Sequence, residues 1–204
     1  MNNIIKDIDQ FIINNNISSI FCDIDGVLWH SCQAIIDILN EKYGGNFTGN
    51  DVTSWNVNCC YPQMTEEEVE EVFNNPKFFE IVKPIDGALE FLDRYRDKII
   101  LVTKASVENY AHKRKWFNDR NFADIPIIAL PLNVSKGFID MQNRTRLYDN
   151  FLYSFFDGYS LFIDDSTSNL QEVNADFCVM FKEYNDQKER EWQKGWCDAV
   201  MYWW

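Results

Sequence analysis

At 204 residues and 46% hydrophobic, the chain is long enough to bury one sizeable core with at most a small appended subdomain. Its 19 Lys+Arg against 32 Asp+Glu give a net charge of −13, which repels polyanions and argues against long DNA or RNA as a partner. A small anionic substrate fits that charge only through a local positive pocket or a bound cation.

The six cysteines, Cys22, Cys32, Cys59, Cys60, Cys178 and Cys197, contain no C-x-x-C pair. With only two histidines to complement them, a zinc site is not expected. The N-terminus mixes isoleucine with Lys6, Asp7 and Asp9 rather than forming a signal-peptide core, and nowhere do about eighteen apolar residues run together. The expectation is a soluble cytoplasmic protein with reduced, buried thiols and no membrane partner.

In chain order, apolar residues at 4, 5, 8, 11 and 12 predict a short amphipathic helix over Ile4 to Ile13. Ile17 to Asp25 reads as a buried strand that halts at two carboxylates and Gly26. The interval from Cys32 to Pro84 is too long for one crossover helix and carries helical patterns of its own, at about 32 to 42 and 65 to 74. Thr65 with Glu68 makes a capping box for the second. Further strands are predicted at Lys98 to Thr103, Ile125 to Leu130, Tyr159 to Asp164 and Phe177 to Phe181. Helices are expected at about 87 to 96, 106 to 118, 136 to 152 and 167 to 174. Strands alternating with helices imply an α/β, Rossmann-like parallel sheet with helices on both faces. Residues 1–31 and 85–204 would form the core, and 32–84 a small helical cap inserted after the first strand.

In such sheets ligands bind beyond the carboxyl ends of the strands. Asp23 and Asp25 lie two apart there and share a face in extended geometry, and a divalent cation such as Mg2+ relieves their repulsion. Thr103, Lys104, Ala105 and Ser106 place a hydroxyl and a helix N-terminus suited to phosphate at the next strand end. Asp164 and Asp165 end a third strand, and Lys136 opens the helix after Ile125 to Leu130. Each has an ordinary reading as a cap, turn or solvated side chain, but together they gather acids, a hydroxyl and a cation at one sheet edge.

This set resembles the haloacid dehalogenase-like superfamily, whose four motifs match Asp23-Ile-Asp-Gly-Val-Leu28, Leu101-Val-Thr103, Lys136 and Phe162-Ile-Asp-Asp165. Lys104, Lys113 and Lys115 compete with Lys136 for the third motif. The inserted segment is similar to the cap of the 5′(3′)-deoxyribonucleotidases, in Tyr43-Gly44, Asp51-Val-Thr-Ser-Trp55, Asn75-Pro-Lys-Phe-Phe79 and Lys83-Pro-Ile-Asp-Gly-Ala88. The resemblance implies a phosphatase with Asp23 as nucleophile and Asp25 as general acid and base. It implies Mg2+ held by Asp23, the Asp25 carbonyl and the fourth-motif acids, Asp165 directly and Asp164 from behind. Thr103, Lys104 and Lys136 would bind phosphate, and Trp55, Phe78 and Phe79 a base. A phosphotransferase, a sugar phosphatase and a non-catalytic binding module stay open as alternatives, and Cys59-Cys60 and the tryptophan-rich tail from Trp192 to Trp204 have no counterpart in the family.

Overall fold

The computed structural model describes residues 3–5, 7–52, 57–142, 158–181 and 201–203. Its elements are β1 (Asn3–Ile5), α1 (Ile8–Asn14), β2 (Ile17–Cys22), α2 (Ser31–Tyr43), α3 (Glu66–Asn74), α4 (Pro76–Ile81), α5 (Ala88–Arg94) and β3 (Ile99–Lys104). They continue with α6 (Val107–Asn118), β4 (Ile127–Leu130), β5 (Tyr159–Asp164), α7 (Thr167–Glu172), β6 (Phe177–Phe181) and β7 (Met201–Trp203). The strands form one sheet in the order β1-β7-β6-β5-β2-β3-β4. The five strands from β6 to β4 run parallel, while β7 and β1 extend the β6 edge antiparallel.

Register follows from side-chain alternation. Phe21, Val102, Phe162 and Met180 point to one face, where Leu170 of α7 covers them. Ile20, Cys22, Leu101, Leu161, Ile163 and Val179 point to the other, beneath α1, α5, α6 and the insert. Both faces are therefore buried, the condition under which parallel strands read as unbroken apolar runs.

Two sequence expectations are corrected. The opening isoleucines belong to a strand, since Ile4 pairs with Tyr202 and Ile5 with Met201, and the helix begins only at Ile8 behind the Asp7 cap, whose carboxylate accepts from the Gln10 amide at 2.9 Å. The predicted helix over 136–152 is, within the described residues, a 3-10 turn at Lys136–Phe138. A Cβ on Gly137 would lie 2.3 Å from the Glu172 carbonyl, so the backbone packs directly on the end of α7. Residues 143–157 lie outside the described residues, as do most of the tail and Cys197.

The insert leaves and rejoins the core through paired segments. The His30 amide donates to the Lys83 carbonyl at 3.0 Å, and the Ile85 amide to the Leu28 carbonyl at 2.8 Å. Trp29, fully buried, packs between Phe78 and Phe79 of α4 and Trp116 and Phe117 of α6. Among the described residues, the indole nitrogens of Trp29 and Trp116 and the Asn109 Oδ1 have no hydrogen-bond partner, so aromatic packing holds the two indoles in place.

Candidate active site

The loop after β2 fixes two carboxylates. The Asp23 amide donates to the Ile163 carbonyl at 2.9 Å, which ties Asp23 to the end of β5. The chain then turns tightly: the Leu28 and Trp29 amides donate to the Ile24 carbonyl at 2.9 and 3.1 Å, and Gly26 takes a φ of 76° that disfavours side chains. Asp23 and Asp25 are both buried at the rim of this turn, with 7% and 9% of their surface exposed.

Each is paired with a buried lysine. Lys136 Nζ lies 2.8 Å from Asp23 Oδ1 and 2.7 Å from Asp164 Oδ2. Asp164 has no exposed surface, and it also accepts from the Ser166 amide at 2.8 Å and from Asn169 Nδ2 at 3.1 and 3.2 Å. Lys113, from the middle of α6, donates to Asp25 Oδ2 at 2.5 Å and to Thr103 Oγ1 at 2.7 Å. Ser31, first residue of α2, donates to Asp25 Oδ1 at 2.8 Å.

Burial pushes the Asp23 carboxyl up from 3.8 to about 7; Lys136 pulls it down, and Asp164 and Asp25 add to the rise. Burial also disfavours the Lys136 charge, but Asp23 and Asp164 outweigh it and hold the ammonium above its ordinary range. Carboxylate oxygens of Asp23, Asp164 and Asp165 all lie within 4.8 Å of one another. An all-oxygen donor set of this kind fits a hard divalent cation such as Mg2+. The charges agree: Lys136 bridges Asp23 and Asp164, Lys113 pairs with Asp25, and Asp165 adds a further carboxylate beside Asp23 and Asp164, a surplus of negative charge that a divalent cation would offset.

The fold thus brings Asp23, Asp25, Thr103, Lys136, Asp164 and Asp165 to one edge of the sheet. Lys104 ends β3 half-buried, and among the described residues no ion pair engages it. Phe78 is fully buried against Trp29, Phe73 and Phe79, which makes it a packing residue. Half-buried Phe79 stacks on His112 with centroids 4.8 Å apart, and Trp55 lies outside the described residues. Ser31 escaped the sequence reading, and Lys113 entered it only as a competitor of Lys136 for the third motif, not as a partner of Asp25. Lys113 had a signal: with Asn109, Trp116 and Phe117 it falls on the buried stripe of α6, where a lysine needs a partner.

Residues 15–141 match the family "5' nucleotidase, deoxy (Pyrimidine), cytosolic type C protein". No curated protein sequence matches the chain. Among solved structures, a haloacid dehalogenase-like family hydrolase from Streptococcus pneumoniae superposes with a TM-score of 0.50 at 10% identity, over 77% of this chain and 80% of the other. A HAD-superfamily hydrolase, subfamily IA, from Geobacter sulfurreducens PCA gives 0.43 at 14% identity, over 76% and 81%. The first of these shares the fold.

Proposed function

As a member of the 5' nucleotidase, deoxy (Pyrimidine), cytosolic type C family, the chain is a phosphatase, and we propose that it hydrolyses nucleoside monophosphates, deoxyribonucleotides above all, through an aspartyl-phosphate on Asp23 with Mg2+ bound. The observation that carries this reading is the group of Asp23, Asp164 and Asp165 at neighbouring strand ends, where Lys136 joins Asp23 to Asp164; Asp23 and Lys136 fall within the residues the family covers, Asp164 and Asp165 beyond them.

Asp23 attacks phosphorus in line, forming a mixed anhydride and splitting one displacement into two. Asp25 gives a proton to the leaving oxygen, then accepts one from the water that hydrolyses the intermediate. Lys136 and the Thr103 hydroxyl bind the phosphoryl oxygens and offset their negative charge. Asp23, Asp165 and the Asp25 carbonyl would hold Mg2+, which would neutralise phosphoryl charge; Asp164, engaged by Lys136, Ser166 and Asn169, supports the site from behind.

Residues 32–84 act as a cap on the core formed by 1–31 and 85–204. Their paired entry and exit support that division, as do the hydrogen bonds from Ser106 to Asn74 at 2.9 Å and from Asn109 to the Phe73 carbonyl at 2.7 Å. The choice of nucleotide over sugar phosphate follows the family. Phosphate release from deoxynucleoside monophosphates and hexose phosphates, with Mg2+ and then with chelator, tests it. The expected kcat/KM ratio favours the nucleotides by about tenfold or more, and chelator abolishes turnover. A preference for hexose phosphates would overturn the substrate assignment, and full activity in chelator the metal assignment.

A further inference from the structure

The Asp25 carboxylate is held at both oxygens by side chains from two different elements. Ser31 Oγ donates to Oδ1 at 2.8 Å and Lys113 Nζ to Oδ2 at 2.5 Å. Ser31 is fully buried and Lys113 is 1% exposed, so both contacts are desolvated, while 12% of the Asp25 side chain stays open. Lys113 reaches one step further, to Thr103 Oγ1 at 2.7 Å.

From this geometry we infer that Lys113 and Ser31 are positioning residues that clamp Asp25 in the orientation from which it protonates the leaving oxygen. The inference rests on the phosphatase reading above and assigns these two residues a part in it. A carboxylate has about four lone-pair directions, and two donors on separate oxygens fix the plane of the group while leaving the outward lone pairs for substrate. A side chain with two rotatable bonds would otherwise swing, and misplacement by about 1 Å can cost on the order of 10²-fold in rate. The donors also tie this orientation to the insert. Ser31 opens its first helix, and α6, which carries Lys113, is bound to the end of α3 through Ser106 and Asn109 and to α4 through the His112 and Phe79 stack.

In the step concerned, the bond from phosphorus to the leaving oxygen breaks as the one to Asp23 forms, and the Asp25 proton moves to the leaving oxygen. Its help matters most where that oxygen would otherwise depart as an alkoxide, and little where it departs as a stable phenolate. The test compares kcat/KM for a deoxynucleoside 5'-monophosphate and for 4-nitrophenyl phosphate, with Mg2+, in wild type, Lys113→Met and Ser31→Ala. Because kcat/KM stops at the first irreversible step, hydrolysis of the intermediate does not enter it. Lys113→Met should lose about 10²-fold or more on the nucleotide, within the usual span of general-acid catalysis, and less than about tenfold on the aryl ester. Ser31→Ala should shift the ratio the same way by a smaller factor, and as the removal of one hydroxyl it decides the matter even if Lys113→Met fails to fold. Equal losses on both esters in folded variants would overturn the inference and leave the phosphatase reading standing. A wild type that turns over neither ester would overturn both.

Discussion

Lys136→Met removes the one ammonium that joins Asp23 and Asp164, at 2.8 and 2.7 Å, and leaves its buried space filled by an apolar chain of similar length. The carboxylates of Asp23, Asp164 and Asp165 then face one another within 4.8 Å, where two unit charges at an effective dielectric of about 20 repel by ~3.5 kcal/mol. Removing one partner of a buried pair costs about 3–5 kcal/mol in comparable cases, so the two routes agree. Such a loss is a large part of the roughly 5–15 kcal/mol that holds a domain together. The sign of its pH dependence is fixed. Asp23 titrates at about 7 with Lys136 present and higher without it, so the native variant escapes repulsion by keeping a proton, and its deficit grows as pH rises. Urea denaturation of both proteins in chelator, at several pH values, measures the difference. Mg2+ at about a hundred times its Kd should restore roughly 2.7 kcal/mol to whichever protein binds it. Turnover should fall by about 10²–10³ as charge stabilisation at the phosphoryl oxygens is lost. A variant whose deficit in chelator stays within about 1 kcal/mol of wild type even well above pH 7, where wild-type Asp23 is ionised, would refute the charge argument, and a turnover change of only a few-fold would refute the phosphate role.

Other outcomes follow from the same geometry. Asp165→Ala should demand far more Mg2+ for half-maximal rate while leaving stability in chelator within about 1 kcal/mol; an unchanged metal titration would remove Asp165 from the site. Trp29→Ala should destabilise by about 3–5 kcal/mol, because the ring fills the junction of α4 and α6; a calorimetric shift worth under about 1 kcal/mol would show that the junction repacks. In chelator, wild type should lose stability relative to Asp23→Asn as pH rises from 3.8 towards about 7, because native Asp23 keeps a proton that the unfolded chain has released. The slope is at most about 1.4 kcal/mol per pH unit, and a difference flat in pH would contradict the raised Asp23 carboxyl.

Much of this was legible because buried parallel strands announce themselves. Ile99–Val102 and Leu161–Ile163 are apolar runs followed by polar residues, and those polar ends are the site. What escaped depended on partners distant in sequence. Ile4 and Ile5 fit a helical stripe as well as a strand, and only pairing with Tyr202 and Met201 decides between them. The short α4 was announced only by Asn75 capping a helix that begins at Pro76. Lys113 looked like one of several interchangeable lysines until α6 turned it inward onto Asp25, 88 residues away. A single sequence displays the acids at strand ends, but the cations that balance them arrive on other elements.

If Asp23 carries the phosphoryl group, acid-quenched turnover of 4-nitrophenyl phosphate by Asp25→Asn with Mg2+ should trap it there. The aryl ester needs little help in leaving, while the variant lacks the base that hydrolyses the intermediate, so phosphate should accumulate covalently and map by mass spectrometry to the peptide containing Asp23. The bound phosphate should be released by hydroxylamine, as an acyl phosphate is, and be absent when Asp23→Asn is added. A burst of nitrophenol without covalent phosphate, or with phosphate on another residue, would contradict Asp23 as the nucleophile.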